Sequence, residues 1–209
     1  MKIQFVCLAN SIKLNGRCIA GIVLLNGSAP VLHFGNPKWV RPVSELEHGE
    51  VNTNLVSQVN LLDIFEMDLT KNVGKGFQSE NVLFDNASLK KIGVLQYKDL
   101  INFVSTSTDS KIFGNHGKSL HKDVIDSINH SLLMFCVDEF SVEFIDSRHL
   151  RLIFTYNGWK FDLPISDPVF IQKYNDNNQI LNGRSEIYIT ISLAVEHNGW
   201  HSKLIAAII

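Results

Sequence analysis

The fold is decided by a strand and turn near the N-terminus, Cys18-Ile19-Ala20-Gly21-Ile22-Val23-Leu24-Leu25-Asn26-Gly27. Its unbroken run of apolar and small residues is rich in side chains that favour sheet, and it predicts a buried strand. The Asn-Gly pair favours the positive φ angles of a type I′ hairpin turn, so the chain is expected to fold back on itself. The stretch therefore predicts antiparallel sheet.

Strand signals recur on both sides of this stretch, at residues 3–8, 31–34, 38–42 and 62–69. The last of them alternates apolar and acidic residues, which is the period-two pattern of a strand with one wet face. Five short strands within about 70 residues are typical of a small barrel. We therefore expect a first barrel in this part of the chain.

The middle of the chain differs from both ends. Residues 88–104 space their apolar side chains as short helices do, and residues 105–122 are polar and contain glycine. Strand signals return after Ser131, with further hairpin turns at Asn157-Gly158 and Asn198-Gly199. The prediction is a mainly β chain with short helices, divided into a first barrel (1–95), a helical and polar connector (96–125) and a second barrel (126–209).

Composition constrains the class of ligand. The 209 residues are 45% hydrophobic and 19% charged, as in folded globular proteins, and the formal net charge is −2. A chain this close to neutral lacks the overall positive charge that drives non-specific nucleic-acid binding, so any such binding requires a local patch. We find no membrane span and no signal-peptide pattern, and we expect a cytoplasmic protein without membrane contact.

Three catalytic patterns are absent from the sequence: the phosphate-binding GxxxxGK[ST], the zinc-binding HExxH and the nucleophile-bearing GxSxG. The three cysteines have no CxxC spacing, and the tightest set of three histidines, His116, His121 and His130, lacks the spacing of metal ligands. We therefore predict no catalytic residue, no metal and no cofactor. The sequence leaves open whether the protein is an enzyme, and the absence of these patterns favours a protein without catalytic activity.

The candidate binding residues are Arg17, Lys38, Trp39 and Arg41. A flat aromatic ring between cationic side chains on a β surface can stack a base while the cations hold phosphate, as in barrels that bind single strands. The alternative is that Trp39 fills the core and both arginines make structural hydrogen bonds. The sequence alone leaves both interpretations open.

Three of these residues, Arg17, Trp39 and Arg41, lie in motifs that resemble a bacterial family, the dual OB-containing domain. The matching segments follow the family order along nearly the whole chain, at residues 16–21, 39–44, 61–64, 78–81, 188–193 and 203–207. One departure is Val82-Leu83-Phe84, which follows residues 78–81 where the family pattern has a Trp. The resemblance implies two OB-like small β-barrels in tandem.

The resemblance also implies a function. The family is similar to proteins predicted to bind or modify nucleic acid in bacterial conflict with phage or mobile DNA. It implies a module that binds nucleic acid or a nucleotide in the cytoplasm, as part of a protein complex with a larger effector. The alternative is a non-catalytic adaptor that docks such an effector and recognises no ligand itself, an interpretation that the near-neutral charge favours.

Overall fold

A computed structural model describes residues 1–13, 16–46, 49–56, 58–107, 109–146 and 149–209. It confirms the mainly β fold class: a closed five-stranded barrel is followed by a half-barrel. No helix within the described ranges is both long enough and apolar enough to span a membrane.

In the described residues, the first half contains nine strands, five of which form the closed barrel, and one short α-helix, α1 (Thr53–Val56). The strands are β1 (Lys2–Lys13), β2 (Gly16–Leu25), β3 (Ala29–Pro30), β4 (Leu32–His33), β5 (Asn36–Pro37), β6 (Trp39–Val43), β7 (Asp63–Asn72), β8 (Asn81–Phe84) and β9 (Lys90–Val94). Strands β1, β2, β6, β8 and β7 are joined in that order, and β7 pairs back with β1. This closure pairs both sides of each barrel strand, which protects the backbone from edge-to-edge association.

The second half consists of two smaller sheets and helix α2 (Pro168–Asp176). Its strands are β10 (Ser119–His121), β11 (Leu132–Val137), β12 (Phe140–Asp146), β13 (His149–Tyr156), β14 (Trp159–Pro164), β15 (Ile187–Leu193) and β16 (Trp200–Ile208). One sheet has the order β10-β16-β15-β11 and the other β12-β13-β14. The part of the chain that the structure describes also contains three 3-10 helices, at Asn86–Ser88, Tyr97–Phe103 and Lys122–Ser127.

The predicted hairpin turns form as expected. Both residues have positive φ in Asn26-Gly27 (51° and 74°), Asn157-Gly158 (48° and 78°) and Asn198-Gly199 (51° and 84°). These are the signs that a type I′ turn requires, and asparagine and glycine adopt them at low cost. The predicted N-cap of α2 also forms, because the Asp167 carboxylate accepts hydrogen bonds from Val169 N and Phe170 N, 3.0 Å each.

Residues 90–94 differ from the prediction. Their apolar spacing suited a short helix, but they form β9, which pairs with β7 from Asp63 to Glu66. A short apolar run does not distinguish helix from strand, and pairing with an existing strand decides its structure.

The two halves pack on each other through shared apolar clusters. One cluster joins Val6, Leu8 and Ile22 of the first barrel to Met134 and Tyr188 of the second half. A second joins Ala9 and Ala20 to Leu132 and Ala206. Thr190 Oγ1 also donates a hydrogen bond of 2.6 Å to Leu8 O across this boundary. The halves therefore share a buried interface.

The domain boundaries at residues 95 and 125 stay a prediction. The 3-10 helix Tyr97–Phe103 lies inside the predicted connector, as expected for its helical part. Strand β10 lies there too, and it pairs with β16 of the second half. The end of the connector thus contributes a strand to the second sheet system.

Candidate functional site

A groove of about 830 Å³ lies between the two halves. The first barrel contributes the β4–β5 hairpin, the start of β6 and the segment Ser79–Glu80. The second half contributes parts of the segment from Ser105 to Gly114, residues 128–130 and the start of β11. This volume is in the range of pockets that hold small organic ligands or nucleotides.

Two predicted binding residues, Lys38 and Trp39, line this groove. Lys38 is exposed, and two hydrogen bonds fix its backbone. Lys38 N donates to Val31 O (2.8 Å), and Lys38 O accepts from Val23 N (2.9 Å). The Trp39 ring is half-buried and packs against the two clusters that join the halves. Trp39 is therefore both a packing residue and part of the groove wall.

Arg41 occupies a different environment. Its side chain is 2% exposed, and its Nη2 lies 3.3 Å from Glu80 Oε1 in a buried ion pair. The same Nη2 donates to Ser131 Oγ (2.8 Å) and to Ser192 Oγ (3.5 Å), both in the second half. Ser131 Oγ in turn donates to Glu80 Oε1. This placement favours a structural role for Arg41, linking the two halves beneath the groove, over a contact with ligand.

The strand register explains how β6 presents these side chains. Strand β2 pairs with β6 only at Trp39 and Val40, while β8 pairs in parallel with Arg41, Pro42 and Val43. Pro42 has no backbone N–H to donate to a neighbouring strand. Because the pairing with β2 ends before Pro42, no hydrogen bond of that pairing is lost. Lys38 and Trp39 thus lie at the groove end of the strand, and the side chain of Arg41 is enclosed next to Glu80.

Arg17 is not among the residues that line the groove. It lies near the start of β2, where its backbone N and O both bond to Val51 at 2.9 Å. Ile22, the partner of Trp39, lies five positions further along the strand, a distance of about 16 Å. The binding role of Arg17 stays a prediction, and its neighbour Asn15 lies outside the described residues.

Sequence reasoning missed several groove residues, among them Phe34, Lys111, Phe113 and His130. Lys111, Phe113 and His130 belong to segments with only loop signals, and tertiary packing brings them next to β6. Phe34 occupies a turn position that the Asn-Gly rule does not identify. A search for Phe-Gly pairs would have found both aromatic turns, Phe34-Gly35 and Phe113-Gly114.

The charge of the groove is weakly positive. Lys38 and Lys111 are exposed cations, Asp109 is an exposed anion, and Glu80 is neutralised by Arg41. Burial lowers the pKa of His130, so its imidazole is neutral at pH 7. Within the described residues, no three His, Cys, Asp or Glu side chains are grouped to hold a metal ion. The groove therefore combines aromatic walls with two cations, a combination suited to a ligand with flat rings and negative charge.

The chain is similar to two solved structures, the p204 HINb domain and the tetrameric p202 HIN2. The first is 10% identical with a TM-score of 0.38, covering 98% of this chain and 91% of that chain. The second is 9% identical with a TM-score of 0.35, covering 100% and 93%. No curated protein matches the sequence.

The family model described as the dual OB-containing domain matches residues 3–208. That match spans both barrels, including the strands that carry Trp39 and Arg41. The chain therefore belongs to the dual OB-containing domain family.

Proposed function

We propose that this protein binds nucleic acid in the groove between its two halves. The observation that carries the proposal is the position of Lys38 and Trp39, a cation and a half-buried aromatic ring on adjacent residues of one groove wall. Base stacking on such rings tolerates any sequence, and lysines beside them neutralise phosphate.

The second half supplies the facing wall of the site. Lys111 adds a second exposed cation to the same groove, and Asn129 offers a side-chain amide that can bond to base edges or phosphate. The groove thus draws contacts from both barrels, which gives a reason for the buried links between them. A ligand that spans the groove would engage both halves at once.

The family resemblance supplies the biological setting of the proposal. We place the activity in the cytoplasm, in bacterial conflict with phage or mobile DNA, with a larger effector protein as partner. The second candidate is an adaptor that docks the effector through this groove and binds no nucleic acid. The low net charge and the presence of Asp109 in the groove favour that candidate.

The salt dependence of binding tests the proposal. Fluorescence anisotropy with labelled single-stranded and duplex DNA and RNA, from 25 to 200 mM salt, is expected to show affinity that falls with salt. The double variant Lys38→Gln and Lys111→Gln removes two phosphate contacts, so the slope of log K against log[salt] should flatten by about one per lysine.

A matched pair of exposed lysines outside the groove, Lys98 and Lys160, provides the control. Their double glutamine variant changes the net charge equally and should leave the slope close to that of the wild type. If the wild type binds no DNA or RNA at the lowest salt, the proposal is wrong and the adaptor becomes the better account. Equal effects of the two double variants would instead show that binding is not located in the groove.

A further inference from the structure

The most exposed large hydrophobic side chain in the described ranges lines this groove. Phe34 is 92% exposed and lies in the two-residue turn between β4 and β5. Its ring centroid is 4.4 Å from that of His33, so the two rings form one aromatic surface at the end of the hairpin. Exposure of a phenyl ring to water is unfavourable, and no burial compensates for it in the free protein.

The backbone conformation of Phe34 is a second feature that raises the free energy of the folded protein. Its φ is +49° and that of Gly35 is +80°, so Phe34 occupies the position that asparagine holds in the two-residue turns Asn157-Gly158 and Asn198-Gly199. A left-handed conformation is strained for a bulky residue but easily adopted by asparagine. An observed strain of this kind points to function when the fold itself does not require the residue.

Phe113 provides an internal comparison. It has the same conformation, φ +50° followed by +82° at Gly114, and it lines the same groove. Phe113 is only 4% exposed and packs in the core cluster of the second half, so burial explains its ring. Phe34 has the same backbone strain without the burial, and its ring therefore lacks a structural explanation.

The hairpin that carries Phe34 is held in place. Thr106 of the second half donates from N (3.4 Å) and from Oγ1 (3.2 Å) to Asn36 Oδ1. At its base, Lys38 N donates to Val31 O. The exposed ring is thus positioned in the lining of the groove, to which Lys38 and Trp39 also belong.

We propose that Phe34 stacks on an unpaired base, so that the groove selects single-stranded over double-stranded nucleic acid. This inference rests on the proposed function and specifies its ligand. A base enclosed in a duplex has both faces covered by its neighbours, whereas a single strand can turn a base out to stack on an aromatic ring. Lys38 and Lys111 would then hold the adjoining phosphates, which are common to DNA and RNA.

The test compares three labelled 20-nucleotide probes of equal length: a single strand without secondary structure, the same strand with abasic sites, and its duplex. The wild type should bind the intact strand at least tenfold more tightly than the abasic strand. Phe34→Ala should weaken binding of the intact strand about fivefold to 150-fold, the range that loss of one stacked base gives, and leave binding of the abasic strand unchanged. Phe34→Trp should retain the affinity.

Phe34→Asn separates function from folding. Asparagine suits the turn and removes an exposed ring, so this variant should melt about 1 to 4 °C higher than the wild type while losing the affinity for single strands. The control is Phe144→Ala, which removes a ring that is 51% exposed on β12, outside the groove, and should leave affinity unchanged.

Each outcome bears on the inference. If the wild type binds the intact strand and Phe34→Ala binds it equally well, the stacking role is refuted while groove binding remains. Equal wild-type affinity for intact strand, abasic strand and duplex refutes selection of single strands. If Phe34→Asn melts well below the wild type, the ring is structural and the inference fails. If the wild type binds none of the probes, both the proposed function and this inference fail.

Discussion

Replacement of Arg41 by alanine is expected to lower the free energy of unfolding by about 3–5 kcal/mol, measured by urea denaturation. The reason is that Glu80, whose side chain is 4% exposed, would lose the cation that faces it in the interior. Ser131 and Ser192 of the second half would lose their bonds to the guanidinium as well. The loss should therefore weaken the contact between the halves as well as the first barrel.

A double variant provides the control for this experiment. Arg41→Met combined with Glu80→Leu removes both charges and fills a similar volume with apolar atoms, so it should recover most of the lost stability. Unchanged stability of Arg41→Ala would mean that the guanidinium is solvated. If that variant also flattened the salt dependence of nucleic-acid binding by about one unit, Arg41 would be a phosphate contact after all.

Deletion of residues 204–209 is expected to prevent folding altogether. The deletion removes the pairing of β16 with β15 from Leu204 to Ile208, and Ile205, Ala206, Ala207 and Ile208 are buried. Loss of a single buried isoleucine side chain costs about 2–5 kcal/mol. Because the total stability of a folded domain is only about 5–15 kcal/mol, losing two such side chains together with a strand pairing should exceed it.

Circular dichroism and the fraction of soluble protein measure this effect. The matched control removes Ile209 alone, which is half-buried and bonds to Tyr188 through its backbone N (2.9 Å) and O (3.2 Å). That control should still fold, with a lower melting temperature. A cooperative thermal transition in the six-residue deletion would show that the C-terminal part of β16 is dispensable.

Turn and cap residues in the sequence correctly predicted those parts of the fold in which a residue sets its own backbone conformation or that of its neighbours. The Asn-Gly turns formed because asparagine and glycine determine their own φ angles, and Asp167 capped α2 because its carboxylate reaches the nearby backbone N–H groups. Residues 90–94 were predicted poorly because their structure depends on pairing with β7. Short segments take the conformation that a neighbouring strand imposes.

The candidate site was predictable only in part, for the same reason. Lys38 and Trp39 were identified because cationic and aromatic side chains are adjacent on one strand. Arg41 lies two residues further along, yet its environment is set by Glu80 and Ser131, which are distant in sequence. No local pattern shows which of two nearby cations is exposed. Phe34 escaped notice because its importance lies in exposure and backbone strain, which only the structure shows.

The most direct test of groove binding is photochemical crosslinking. A single strand with 5-iodouracil substituted for thymine is irradiated together with the 209-residue chain. Mass spectrometry of the peptides then reports the aromatic residues in contact with bases. We predict crosslinks to Phe34 and Trp39, on the hairpin and strand that form one wall of the groove. Crosslinks confined to exposed rings outside the groove, such as Phe144, would contradict the account.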